Sequence, residues 1–220
     1  MIRVVLADDE AMVRTGVCGI LTTDPEIEVV AEAGNGLEAI ELVARHRPDV
    51  AVLDIRMPKF DGFAAAERIC ATESNRTAVI MLTTFSESTY IAKALRAGAS
   101  GFLVKSGDPR ELIAGVRAVA DGAAYFSPHA ATTVIGSFND DRTARGDAAR
   151  QRIEALSERE LQVLALVGAG RSNQEIGREL YLVEGTVKSY VSTILNRLDV
   201  RNRVQAAIIA YEAGVVEKLS

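Results

Sequence analysis

Residues 4 to 10 read VVLADDE, in which Val4, Val5, Leu6 and Ala7 run without a polar break into Asp8, Asp9 and Glu10. An apolar run with no alternation belongs to a strand covered on both faces, as in a parallel sheet. The three acids that end it repel one another and nothing adjacent offsets them, so a positive partner must come from elsewhere. Four further runs resemble this one: IEVVAEA at 27–33, DVAVLDI at 49–55, TAVIMLT at 77–83 and GFLVK at 101–105. Each is rich in Val, Ile or Leu and bounded by Gly, Pro, Asp or Asn. Amphipathic helical patterns follow Asp9, Gly36, Asp61, Ser86 and Asp108, the last opening with DPREL, an N-cap acid with Pro at the first helical position. Parallel strands need crossovers of helical length, so residues 1–122 are expected to form an α/β fold, a doubly wound five-stranded parallel sheet.

Ligands of such sheets bind outside the carboxyl ends of the strands. The first strand ends in Asp8 and Asp9, the third in Asp54, the fourth in Thr83 and Thr84, and the fifth in Lys105. Taken singly these residues have ordinary explanations: an Asp-Asp pair can cap a helix, Asp54 can cap a turn, and a lysine is usually a solvated charge. Their arrival together at four strand ends points instead to one site. Three carboxylates there call for a hard divalent cation with oxygen ligands, Mg²⁺ first among them. Beside that cation Asp54 can act as a nucleophile towards a phosphoryl group, while Thr83 and Lys105 hydrogen-bond and neutralise the remaining oxygens.

At 220 residues, 48% hydrophobic and 25% charged, the chain has the composition of a packed globular protein and not of a disordered one. No basic-then-apolar leader opens it, and no run approaches the roughly 18–20 apolar residues of a membrane helix, so a cytoplasmic protein with no membrane partner is expected. Cys18 and Cys70 lie in helical patterns without metal-ligand spacing and read as reduced, partly buried thiols. The net charge of −5 argues against nucleic acid only if it is spread evenly. The acid excess lies within residues 1–122, whereas 186–203 hold Lys188, Arg197, Arg201 and Arg203 against Asp199 alone, a local basic patch.

Residues 127–137 can form a short helix, and 138–152, charged and nearly without large apolar residues, read as linker, so that 123–152 separates two domains. From 153 to 220 the rhythm is all-helical, with patterns starting near Ser157, Ser172, Gly185 and Asn202. Ser157 and Glu160 form a capping box. Two short helices closely joined suggest helix-turn-helix geometry, whose second helix enters the major groove. The apolar face Val187, Val191, Ile194, Leu195 and Leu198 leaves Lys188, Ser189 and Ser192 outward, with Thr186 and the helix-start amides placed for phosphate.

The DD at 8–9, DIRMPKFDG at 54–62, TT at 83–84 and GFLVK at 101–105 resemble a two-component receiver domain. The stretches LSERELQVLAL, GRSNQEI, GTVKSYVSTILNRLDV and NRVQAA resemble a LuxR-type DNA-binding domain of the NarL/FixJ group. The first resemblance implies that Asp54 takes phosphate from a sensor histidine kinase, with Mg²⁺ held by Asp9, Asp54 and the Arg56 carbonyl and Asp8 helping through water. It implies also that Thr83 turns towards the phosphoryl group and that Phe102 stands where relatives carry a rotating aromatic switch. The second implies that Lys188, Ser189 and Ser192 approach bases of double-stranded DNA, Thr186 binds phosphate and Arg203 lies at the interface edge.

Together they imply a phosphorylation-controlled transcription regulator, not an enzyme, that pairs as a homodimer when phosphorylated, with RNA polymerase a candidate partner. Three positions depart from the relatives' pattern: Ser106 after Lys105 where many have Pro, Val183 at the start of the recognition helix where many have Ser or Ala, and Tyr190 for a frequent His. Val is a poor N-cap, a loss of about 0.5–2 kcal/mol. Two rivals remain: an Asp-nucleophile phosphohydrolase, which would want an acid two residues after Asp54 where Arg56 stands, and an orphan receiver controlled by a ligand or a protein partner.

Overall fold

The computed structural model describes residues 1–71, 77–84, 88–126 and 142–216. The chain forms two compact units, one built on Met1–Ala120 and one on the helices beyond residue 141.

In the first unit, strands β1 (Ile2–Ala7), β2 (Ile27–Ala33), β3 (Val50–Asp54), β4 (Ala78–Thr83), β5 (Gly101–Val104) and β6 (Tyr125–Phe126) form one sheet in the order β2-β1-β3-β4-β5-β6. All pairings are parallel. The five expected strands are present and a sixth adds to the edge. Its two residues pair with Gly101 and Phe102, satisfying backbone groups that β5 would otherwise leave open at its edge.

Helices α1 (Ala11–Leu21), α2 (Gly36–His46), α3 (Gly62–Cys70), α4 (Ser88–Ala97) and α5 (Pro109–Ala120) follow the first five strands in turn. Alternation along the strands sends Val5, Ala7, Ala51, Leu53, Val79 and Met81 to one face, where they pack on α2, α3 and α4. Val4, Leu6, Val50, Val52, Ile80 and Leu82 go to the other, against α1 and α5. Both faces are therefore dry, and the unbroken apolar runs follow from that. The caps act locally: the Asn35 side chain accepts from the Leu37 and Glu38 amides, and Asp61 accepts from Ala64. Among the described residues no peptide bond is cis, the Lys105–Ser106 bond included.

The second unit contains α6 (Arg142–Ile153), α7 (Glu158–Gly168), α8 (Asn173–Leu180), α9 (Glu184–Arg197) and α10 (Arg203–Glu212). The linker expected over 138–152 is corrected by α6, which begins at Arg142. Good helix formers carry it, and Ala149 and Ile153, four residues apart, bury one face in the same core as Leu164, Ile176 and Ile194. The short helix expected over 127–137 lies outside the described residues. Both Ser157 with Glu160 and Ser172 with Glu175 make reciprocal capping boxes, whereas Val183 opens α9 with no side-chain cap.

Candidate functional site

At the carboxyl edge of the sheet, the chain leaves β1 into Asp8 and Asp9, while Asp54 ends β3 and Thr83 ends β4. Lys105 follows β5, its amide donating to the Thr83 carbonyl at 2.7 Å. Carboxylate oxygens of Asp8, Asp9 and Asp54 lie within 4.8 Å of one another. Asp8, Asp54 and Thr83 are buried, and Asp9 is exposed at the mouth.

The positive partner demanded by the acids is Lys105. Its Nζ stands 2.6 Å from Asp8 Oδ2 and 2.9 Å from Asp54 Oδ1, with the side chain only 11% exposed. Burial opposes its charge, but the hydrogen bonds to Asp8 and Asp54 outweigh this and raise its pKa, so it is an ammonium at neutral pH. Burial pushes the Asp54 carboxyl up, with the Asp8 charge adding, against the pull of Lys105 and of the Arg56 amide. One lysine thus spans two acids without neutralising the third. The donor set left, three carboxylates and nearby carbonyls, is all hard oxygen, which fits a small divalent cation.

Residues beyond those given a role by motif reading, and a second contact of Arg56, hold this pocket. The Glu10 amide donates to Asp8 Oδ1 at 2.9 Å and the Arg56 amide to Asp54 Oδ2 at 3.2 Å, which fixes both carboxylates through the backbone two residues on. Arg14, one turn into α1, donates from Nη1 to the Asp8 carbonyl at 2.8 Å and pairs with Glu32 at 3.5 Å. Gly62 is needed because a Cβ there would stand 2.0 Å from the Asp54 carbonyl oxygen. Arg56 reaches α4, where Nη2 donates to the Tyr90 hydroxyl at 3.0 Å. The glycine was signalled by its place in the DG of DIRMPKFDG; Arg14 and the reach of the Arg56 side chain to α4 carry no signal without tertiary contacts. Phe102 is wholly buried on β5, packed with the α2–α4 side of the core.

In the second unit, α8 and α9 are joined through Tyr181, whose backbone is left-handed (φ 57°), and Val183. On α9, Val187 and Ile194 are buried while Lys188, Ser189 and Ser192 are exposed, as the apolar periodicity required. Thr186 is half-buried, and its amide donates to the Val183 carbonyl. Lys188 Nζ pairs with Glu184 Oε1 at 2.6 Å. Arg203, expected at the edge of a DNA interface, is buried. Its Nη1 donates to Asn173 Oδ1 at 2.9 Å and its Nη2 to the Arg171 carbonyl, while burial pulls the guanidinium down to about 10. It locks the start of α10 to that of α8 and presents no outward donor fork. Arg197 is likewise drawn inward, to Glu160 and the Ala155 carbonyl.

A pocket of three acids and a lysine on a parallel sheet, followed along the chain by a helix-turn-helix unit, defines a class of regulated DNA-binding proteins. Residues 4–117 match the response regulator receiver domain, and residues 154–210 match the bacterial regulatory proteins of the luxR family. The transcriptional regulatory protein LnrK of Bacillus subtilis is 37% identical across 98% of this chain and 99% of its own length. LiaR of the same organism is 36% identical across 98% and 100%. Among solved structures, the response regulator ChrA of a heme-sensing two-component system is 31% identical over 97% of this chain and 98% of its own, with a TM-score of 0.52. A LuxR-family two-component response regulator from Aurantimonas is 32% identical over 62% and 97%, with a TM-score of 0.59. The chain belongs to the response regulators that join a receiver domain to a LuxR-type DNA-binding domain.

Proposed function

We propose that phosphorylation of Asp54 by a sensor histidine kinase switches this response regulator, and that the switch controls its binding to double-stranded DNA. The observation that carries this reading is the Lys105 ammonium held between Asp8 and Asp54 beside Thr83. In the transfer, an Asp54 oxygen attacks the phosphorus of a phosphohistidine. The O–P bond forms as the P–N bond breaks, and the histidine nitrogen keeps the electron pair and takes a proton. Lys105 neutralises the new phosphoryl oxygens and the Thr83 hydroxyl donates to one of them. Asp9, Asp54 and the Arg56 carbonyl would hold Mg²⁺, with Asp8 helping through water; a bound ion offsets charge on the transferring oxygens.

The added charge of about −1.5 to −2 biases the β4–β5 edge, where Thr83 and Phe102 sit on neighbouring strands. Residues 1–122 form the switch and 153–220 the DNA reader. Phosphorylated chains pair as homodimers and place two α9 helices on a two-fold operator, with Lys188, Ser189 and Ser192 towards bases and Thr186 towards phosphate. Arg203 is left out of this interface because its donors face inward. RNA polymerase is the natural downstream partner of a bound dimer. Among the described residues no helix is long and apolar enough to cross a membrane, which agrees with a cytoplasmic site of action.

The test is treatment with acetyl phosphate and Mg²⁺, read by intact mass, oligomeric state and gel shift at matched salt. One phosphoryl adduct, dimerisation and tighter DNA binding are expected, all lost in Asp54→Asn. DNA affinity that is equal with and without the adduct would overturn the coupling. Absence of any adduct would favour control by a ligand or partner, and turnover of phosphomonoesters would favour a phosphohydrolase.

A further inference from the structure

On the outward face of α9 the hydroxyl hydrogens turn back to the helix's own backbone. Ser189 Oγ donates to the Gly185 carbonyl at 3.0 Å, Ser192 Oγ to the Lys188 carbonyl at 2.9 Å, and Thr193 Oγ1 to the Ser189 carbonyl at 3.0 Å. A hydroxyl has one hydrogen and two lone pairs, and here the hydrogen is committed to the helix's own backbone four residues back. What each oxygen offers outward is therefore a lone pair. Glu184, also exposed, is an acceptor only. Of the exposed polar side chains from Glu184 to Thr193, only Lys188 keeps donor hydrogens to spare, since its ammonium carries three and Glu184 takes one.

Along the major groove, guanine and thymine present acceptors at their hydrogen-bonding edges, and donors come only from the exocyclic amino groups of adenine and cytosine. Resting on the DNA-binding reading above, we propose that Ser189 and Ser192 read adenine or cytosine by accepting from these amino groups. Among these exposed side chains Lys188 is the one fitted to donate to guanine. The back-bonds preorganise the choice: a serine that turned to donate to guanine would first have to break an intrahelical bond, whereas one accepting from an amino group keeps it. Specificity at these two positions thus lies in the direction of a hydrogen bond and not in side-chain reach.

The experiment selects duplexes from a random library with the full-length protein under Mg²⁺ and beryllofluoride, then measures affinity on the selected site and on analogues. Replacing adenine by purine, or cytosine by pyrimidinone, removes the amino group and leaves the ring in place. At one base pair for each serine this deletion is expected to weaken binding by about two- to tenfold, the range for one net hydrogen bond. Ser189→Ala and Ser192→Ala are expected to weaken the intact site to a similar extent, and each should make its own base's deletion silent. The purine and pyrimidinone arms tell adenine from cytosine. Coupling of either serine to a guanine, detected with deazaguanine, or coupling to no base at all, would overturn the proposal while leaving DNA binding intact. Failure to select any duplex would overturn the DNA-binding reading as well.

Discussion

Lys105 Nζ lies 2.9 Å from Asp54 Oδ1 while its other contact, to Asp8 Oδ2, is 2.6 Å, so a single buried ammonium serves two carboxylates from different strands. Removing one partner of a buried charge group is far costlier than removing an exposed one, because the remaining charges lose their compensation. Lys105→Gln is therefore expected to lower the unfolding free energy by about 3–5 kcal/mol in metal-free buffer. Added Mg²⁺ should restore part of it, since the freed acids gain a cation that binds only the folded chain. Urea unfolding with and without Mg²⁺ checks both; a Mg²⁺-independent midpoint in wild type and variant would remove the cation from the pocket.

Asp54 has a carboxyl raised by burial, and the sign of its pH effect follows. With the folded value above the ordinary value of about 3.9, the native state binds more protons than the unfolded one through that window, so stability falls as pH rises across it. Asp54→Asn is expected to be more stable than wild type near about pH 7, with the difference shrinking towards acid. Urea midpoints at the two ends of this range are the measurement.

Gly62 and Gly19 make opposite predictions from one substitution. A methyl at Gly62 would meet the Asp54 carbonyl at 2.0 Å, so Gly62→Ala should cost about 1–3 kcal/mol or more and displace the acid-bearing loop. Gly19 is exposed inside α1 with nothing within 4 Å, so Gly19→Ala should stabilise by about 0.5–1 kcal/mol through the unfolded chain and helix propensity. Thermal melts of both variants decide this, and Mg²⁺ affinity should fall in the first alone.

Glu160 tests the second unit. Its carboxylate accepts from the Ser157 hydroxyl and amide and from Arg197, and these contacts hold its pKa below the usual glutamate value. A depressed carboxyl gives stability that is fully present above the ordinary value of about 4.3 and is lost as pH falls through the folded value. Glu160→Gln, which can still complete the capping box but loses the carboxylate charge, is expected to cost about 1 kcal/mol at neutral pH, the scale of one hydrogen bond, and to converge with wild type in acid. Denaturation of the full chain followed by a probe in α7 checks it.

Much of this was written locally. Asp61, Ser157, Ser172 and Asn202 each cap the helix that follows through a side-chain oxygen two or three residues away, a range within which sequence pattern is informative. The edge strand Tyr125–Phe126 and the helix Arg142–Ile153 were not legible. Two residues have no period, and a helix whose buried face is little more than Gly146, Ala149 and Ile153 shows almost no apolar stripe. Arg203 misled for a related reason: it sits in a basic cluster, yet a side chain at the first position of α10 faces whatever helix lies beside it.

By itself the sequence determined the first five strand-helix units, the four helices that follow Ser157, the caps, and the presence of acids, hydroxyl and lysine at strand ends, because each of these depends on neighbours within about one turn or one strand. Only the tertiary structure decided that Lys105 spans Asp8 and Asp54, that Arg14 and Arg56 anchor the surrounding loops, and that Arg203 turns inward. Apart from the Arg14 contact with Asp8, six residues away, those outcomes depend on distances between segments 30 to 97 residues apart in the chain, which packing sets and no local preference encodes.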